Sequence, residues 1–434
     1  MKICLFEHYD DKSKELLQSL KTAGINTQNL FMRYDGQLPE GALCPFTYYT
    51  QEEDEETSAR FYNQVEVPDL YEIRRNGYQS ASIYNEGVLA GKINYSKYGA
   101  LKVKSVEWFS PTKQTFKEEL YNRSGRHYAT NYFYKGKKYQ TAYLKDKKEV
   151  LWENHINQLI TVQDKGKTRQ FVGIRAFFKF FMKEIGISNQ ETFLFNSVSH
   201  PLFVLRDLLE KPNAVCFHQD RNAADILWNL AVELRNPVAI KQIVFQSEEQ
   251  YQKAKKDFPN TSIDLQYLSA IGETSRDNKH RLNAFTLSAN HQLIDFTELL
   301  KAHPQITFCI AAKTEINPEL LALAFEYDNL RCIQEIGNQE LLEQLDISDI
   351  YLDINQGREV EGIVAQAYAN GLLVFAQKSV AKRKDKSIVY ESLEEINTYM
   401  SQLSTKESWD KLLSQQRRKG NRLSTIADYQ ELLS

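Results

Sequence analysis

The chain has 434 residues, enough for two domains and a large buried core. Hydrophobic residues make up 42% and charged residues 26%, ordinary globular values that exclude a disordered or low-complexity protein. A net charge of -3 carries no nucleic-acid signature, and no apolar run is long enough to span a bilayer.

The opening MKICLFEHYDD has one lysine and a short apolar run that ends in charge, too short for a signal peptide's apolar segment. KICLFEH reads as a strand, DDKSKELLQSLKTAG as an amphipathic helix closing at Gly24, and TQNLFMR as a second strand, a β-α-β start. After Arg33, YDGQLPEGALCP supplies turn residues, and the acidic run QEEDEE follows at 51–56.

From Pro45 to about Lys165 the pattern has period two, in segments such as KINYSKYG, LKVKSVEWF and HYATNYFYKGKKYQTAYL, with turns at Lys135-Gly136 and Asp164-Lys165-Gly166. It holds 14 of the 24 tyrosines and predicts an inserted antiparallel sheet with an aromatic face. That face either packs against the rest of the protein or docks a partner.

After Gly173 the α/β rhythm resumes with IRAFFKFFMKEIG, TFLFNSVS, PLFVLRDLLE and AVCFHQ. From Pro237 a second series follows: IKQIVFQS, IDLQYLSA, RLNAFTLS, ITFCIAA, LRCIQEI, DIYLDIN and LLVFAQ, with helical segments between them. The expected domains are a first Rossmann-like domain at 1–44 plus 166–235, an inserted β-sheet at 45–165, a second Rossmann-like domain at 236–405, and a helical tail at 406–434. Both α/β domains are expected to stay folded without 45–165. The tail ends in RRKGNR, read as a solvated helix end, with phosphate or membrane contact as the alternative. The five cysteines are scattered and odd in number, which predicts reduced, buried thiols, and the eight histidines show no ligand spacing. No metal and no cofactor are expected.

Two doubly wound domains in tandem give an α/β fold of the GT-B-like class, whose ligand lies in the cleft at the carboxyl ends of both sheets. Fold alone does not assign chemistry. An active enzyme of this class holds a nucleotide diphosphate sugar, and three elements serve that task. The loop after the first strand brings glycine amides to the phosphates, yet here EHYDDKSK has no glycine and three acids. An Arg and Lys pair neutralises the diphosphate, yet AFTLSANHQLIDFTELL (284–300) has neither. Two glutamates with seven residues between them hold the sugars, yet the matching positions in 351–376 are Arg358 and Gln366. Glu359 and Glu361 lie close by, but one residue turns a helical side chain by about 100°.

The stretches GQLPEGALCPFTYYT (36–50), RFYNQVEVPDLYEIR (60–74), EVLWENHINQLI (149–160), FLFNSVSHPLFV (193–204), ITFCIAAKTEINPEL (306–320) and DIYLDINQGREV (349–360) carry a resemblance. The chain resembles the glycosylation chaperones of the bacterial accessory Sec system, non-catalytic stabilising subunits of the O-GlcNAc transferase complex that modifies serine-rich repeat adhesins. The resemblance implies a GT-B-like frame with an inserted sheet, a catalytic transferase subunit and a serine-rich repeat acceptor polypeptide as partners, and a cytoplasmic place with peripheral contact at the inner membrane face as an option. Acceptor-peptide contacts are expected at Lys313, Glu315, Asn355 and Arg358, at strand ends or helix starts. The alternative is an active retaining transferase with a donor site rearranged around Lys313, Glu315, Asn355 and Glu359.

Overall fold

The computed structural model describes residues 2–51, 60–76, 80–96, 102–219, 228–271, 277–418 and 424–433. They fall into two units, Met1–Ile271 with Ser424–Ser434, and Gly272–Leu423. The first unit opens with β1 (Lys2–Phe6), α1 (Asp11–Thr22) and β2 (Gln28–Phe31). Asp10 starts α1 by accepting the Ser13 backbone N–H at 2.9 Å, and Gly24, at φ +70°, lets the chain leave the helix.

A short helix, α2 (Pro45–Thr50), follows where the sequence predicted the inserted sheet to begin. The sheet itself has ten antiparallel strands in consecutive order: β3 (Tyr71–Asn76), β4 (Ser80–Asn85), β5 (Val88–Tyr95), β6 (Val103–Phe109), β7 (Thr115–Tyr121), β8 (His127–Tyr134), β9 (Lys137–Lys145), β10 (Lys148–Asn154), β11 (Leu159–Asp164) and β12 (Lys167–Val172). Its span is therefore 71–172 and not 45–165. Proline and three aromatic side chains in 45–50 pack as a helix, and β12 pairs with β11 through the turn at Lys165-Gly166.

The α/β rhythm then continues through α3 (Gly173–Glu184), β13 (Thr192–Phe195), α4 (His200–Leu208), β14 (Ala214–His218), α5 (Trp228–Arg235), β15 (Ile240–Phe245), α6 (Glu248–Asp257) and β16 (Asp264–Tyr267). The six parallel strands lie in the order β16-β15-β14-β13-β1-β2. This corrects the boundary expected at 235/236: β15 pairs with β14, so IKQIVF and DLQY close the first sheet rather than open the second. An unbroken strand-helix alternation does not mark where one sheet stops.

The second unit holds β17 (Asn283–Ser288), α7 (Phe296–Ala302), β18 (Thr307–Ala312), α8 (Pro318–Glu326), β19 (Leu330–Ile333), α9 (Asn338–Ile347), β20 (Ile350–Asp353), α10 (Ile363–Ala369), β21 (Leu373–Gln377), β22 (Ile388–Tyr390), α11 (Leu393–Gln402) and α12 (Lys406–Arg418). Its six parallel strands run β19-β18-β17-β20-β21-β22. The expected separate tail is divided instead. Trp409, Leu412 and Leu413 of α12 are core of the second unit, whereas α13 (Ile426–Leu433) belongs to the first, with Tyr429 fully buried and its hydroxyl bonded to the Ser269 carbonyl at 3.0 Å. The acidic residues 52–56 and most of RRKGNR lie outside the described residues.

Most described tyrosines of the insert are internal. Tyr49, Tyr128 and Tyr143 join the core of the first α/β body, while Tyr62, Tyr71, Tyr95 and Tyr121 pack with the small core under β3–β6. The join is aromatic: Phe46 lies 4.5 Å from Tyr143, and Phe171 and Tyr49 lie 5.3 and 5.5 Å from Phe177 on α3, ring centre to ring centre. Beside it Arg33 donates to Glu153 at 2.9 Å, with the Glu153 side chain 9% exposed. The insert is thus no removable module. Leu151, Ile160 and Val162 share one hydrophobic core with Phe177, Phe178 and Phe181, so a chain without 45–165 exposes that core. Such a truncated chain is expected to be insoluble or to lose its cooperative circular-dichroism melt. Glu153→Ala, which strands the Arg33 charge, is expected to lower unfolding stability by about 2–3 kcal/mol in urea titration.

Candidate functional site

In a doubly wound sheet the ligand crevice opens at the carboxyl ends of the strands, where strand order reverses. That point lies between β1 and β13 in the first sheet and between β17 and β20 in the second. In the first, the Ser199 hydroxyl after β13 donates to the Glu7 carboxylate after β1, and Ser199 also meets Ser197 at 2.7 Å. The start of α1 is occupied by its own Asp10, with Asp11 beside it, so its amides face acid rather than phosphate.

The second switch point is closed by backbone. Ile294 N–H donates to the Ile354 carbonyl at 3.0 Å, and Gln356 N–H to the Gln292 carbonyl at 2.9 Å. Gly357 N–H donates to the side-chain oxygens of Asn355 at 2.9 Å and Asn290 at 3.2 Å. A Cβ at Gly357 would come within 2.8 Å of Ala289, so only glycine permits this approach. The loop after β17, the segment without Arg or Lys, is thereby pinned to the loop after β20.

Around this closure three cations are paired with acids. Lys313, one residue past β18, has a side chain only 5% exposed, with its ammonium 3.4 Å from Glu361 and 2.9 Å from the Asn338 amide oxygen. Lys382 lies 3.1 Å from Asp353, donates its backbone N–H to the same carboxylate at 2.7 Å, and reaches the Asn355 carbonyl. Arg383 lies 3.3 Å from Glu359, whose other oxygen accepts the Val364 N–H at 3.2 Å at the start of α10. Glu361 and Gly362 both take left-handed backbone, at φ +50° and +65°, ahead of α10.

The six residues singled out from sequence separate accordingly. Lys313 and Asn355 are structural, the first ion-paired and the second buried. Glu315 and Arg358 are exposed. Gln366 donates its side-chain N–H to the Glu361 carbonyl at 2.8 Å, a bond that an ionised glutamate could not make because it has no proton to give. Glu359 is committed to Arg383. A donor site assembled from Lys313, Glu315, Asn355 and Glu359 would need two ion pairs broken first. Lys382 and Arg383 lie outside the sequence expectations; the basic run AKRKDK, three residues beyond strand LLVFAQ, is the signal that could have found them.

The sequence matches the pattern of the GtfB N-terminal domain over residues 3–49, the GtfB middle domain over 71–172, the GtfB third domain over 175–256 and the GftB/GlyA-F C-terminal domain over 284–418. It is 30% identical to the UDP-N-acetylglucosamine--peptide N-acetylglucosaminyltransferase stabilizing protein GtfB of Streptococcus agalactiae, across 99% of this chain and 98% of that one. The chain belongs to the GtfB family. The GtfB of Streptococcus gordonii is likewise 30% identical, over 86% of this chain and 84% of its own. A chain in the crystal structure of a GtfA/B complex bound to UDP and GlcNAc superposes with a TM-score of 0.91 at 26% identity, covering 99% of both chains. TarM, at 10% identity and a TM-score of 0.50 over 100% of this chain and 97% of its own, shares the fold alone. The GtfB middle domain coincides with the ten-stranded sheet, and the fold is GT-B-like in both parallel sheets.

Among the described residues no group of His, Cys, Asp and Glu gathers as metal ligands, and no helix is long and apolar enough to cross a membrane. Burial pushes the Asp353 carboxyl above its ordinary value of 3.8, an effect that Lys382 opposes. The unfolded chain therefore releases this proton more readily than the folded one, so Asp353 costs stability as pH rises from 3.8 through its raised folded value. Asp353→Asn, which leaves Lys382 without its carboxylate, is expected to remove this decline, so that the variant's stability relative to the parent rises with pH across that window, checked by urea unfolding at a series of acidic to neutral pH values.

Proposed function

We propose that this chain is the non-catalytic stabilising and acceptor-binding subunit of a protein O-GlcNAc transferase complex acting on a serine-rich repeat adhesin in the cytoplasm before accessory Sec export. One observation carries the reading: Lys313, Lys382 and Arg383 at the second switch point are paired with Glu361, Asp353 and Glu359, and the loop after β17, where a clamp for a nucleotide diphosphate would stand, has no Arg or Lys. The stabilising role agrees with the names of the GtfB relatives. The cytoplasmic place is supported by five free cysteines, four of them buried. Peripheral contact at the inner membrane face rests on the basic run 417–422 alone.

The purified chain is expected to neither transfer nor hydrolyse UDP-GlcNAc, and co-expression is expected to raise the soluble yield of its transferase partner. Product formation by the isolated chain, or an unchanged yield, refutes the reading. For the acceptor, an extended Ser/Thr-rich segment offers little apolar side-chain surface, so recognition rests on main-chain hydrogen bonds and modest affinity. Glu315 and Arg358 remain as exposed contacts, with Lys313 and Asn355 shaping the loops that carry them. Alanine at all four is expected to weaken peptide binding.

The docking surface for the transferase is reduced to the part of the insert that its own cores leave over. On the face of β8–β10 turned from the aromatic join, Tyr132 and Trp152 are half-buried and both donate to Glu149, at 2.6 and 2.8 Å, beside Tyr139. A cluster of rings with satisfied polar ends suits an interface. Tyr132→Ala with Trp152→Ala is expected to abolish stoichiometric co-elution while leaving the melting curve cooperative; continued co-elution removes this surface from consideration.

A further inference from the structure

We propose that the first unit carries a cationic side-chain pocket that takes carboxylates of the acceptor polypeptide, in the crevice where the inserted sheet meets the carboxyl edge of the first parallel sheet. This rests on the acceptor-binding reading above and adds which chemistry of the acceptor is recognised and where. The crevice is a cavity of about 240 Å³. One wall comes from the loops after β1 and β2 and from the first turn of α1, the other from the entrance of β6 and the turn between β7 and β8.

Its position and its charge point the same way. The carboxyl edge of a doubly wound sheet is where such folds bind ligands, and here the insert supplies a second wall to it. Gly36, at φ +92°, forms the close approach between the walls: a Cβ there would lie 3.2 Å from the Tyr121 carbonyl and the Asn122 backbone. Lys14, Lys102, Lys104 and Arg123 line the cavity together with one carboxylate, Asp35, and Lys14 is also paired with Asp11 at 3.9 Å. Lys102 and Lys104 form no ion pair with the described residues, in contrast to the paired Lys313, Lys382 and Arg383 of the second unit. The positive charge that the GT-B frame ordinarily directs at a donor diphosphate is neutralised in one sheet, while a cationic crevice stands at the other.

The size selects the ligand. Pockets for small molecules and cofactors run to about 300–1,000 Å³, so this cavity suits one acidic side chain rather than a nucleotide sugar. Its cations are side chains, with no helix amides aimed into it, since Asp10 caps α1. That arrangement attracts a carboxylate without the backbone cradle that phosphate sites use. Lysine heads on flexible stems tolerate variation in where the acid falls along an extended chain.

The test uses the full-length chain and fluorescence anisotropy with two labelled serine-rich peptides, one carrying several glutamates and the other glutamines at the same positions. A few solvated charge contacts together predict a preference for the glutamate peptide of roughly tenfold at low salt, shrinking as salt is raised. The triple variant Lys102→Gln, Lys104→Gln, Arg123→Gln is expected to erase the preference and leave glutamine-peptide binding unchanged. Lys104→Glu alone, at an exposed position, is expected to weaken the glutamate peptide in the same direction and guards against misfolding of the triple variant. Equal binding of the two peptides by the parent protein overturns the pocket, as does a preference that survives both variants. Displacement of the glutamate peptide by inorganic phosphate, but not by chloride of equal ionic strength, overturns the carboxylate assignment in favour of a phosphate site. If neither peptide binds, the acceptor-binding reading itself falls, and the pocket with it.

Discussion

The contact between Arg33 and Glu153, set beside the aromatic join of Phe46, Tyr143, Phe171 and Phe177, fixes the first unit. An ion pair taken out of water is tolerated only when both partners stay in place, so it holds β2's exit against β10 in one geometry. The rings around it supply the apolar area that a ten-stranded sheet cannot bury by itself. Sheet and α/β body consequently share a core, and the crevice between their walls inherits its shape from that join. The Arg123 N–H could not donate to the Gly36 carbonyl at 3.1 Å if the sheet were hinged.

Both parallel sheets keep a strand order that would open a ligand crevice, and both close it with their own residues. The first does so with Glu7 and Ser199, the second with a backbone zipper between the loops after β17 and β20. The second closure is also electrostatic, because Lys313, Lys382 and Arg383 meet carboxylates from the loop after β20 or the end of that strand. Breaking any one of these pairs would leave a partly buried charge alone, which costs more than the pair contributes when intact. The GtfB frame thus retains the architecture of a transferase while its polar groups stabilise loops.

Gln366 shows how a residue that looks like a loss can be a requirement. Its side chain must donate to the Glu361 carbonyl, and Glu361 must turn through left-handed backbone to reach Lys313. From the sequence, Gln366 and Arg358 were legible only as carboxylates replaced. The reason one replacement is an amide lies in a contact five residues back along the chain.

Periodicity and composition determined the element types: period two in the insert, alternation of strand and helix on either side, and an aromatic sheet that needed covering. They also determined that the glycine, the basic pair and the two glutamates of a donor site are missing at three loops, since these are countable without a structure. Tertiary structure alone decided where the first sheet ends, because β15 and β16 read the same whichever neighbour they pair with. It decided that 45–50 is helix and that α13 returns to the first unit, since both depend on which distant apolar surface covers them. It decided, finally, which charges are spent and which face an open crevice, because ion pairing depends on a few ångströms between residues far apart in sequence, such as Lys313 and Glu361, and no local pattern carries that distance.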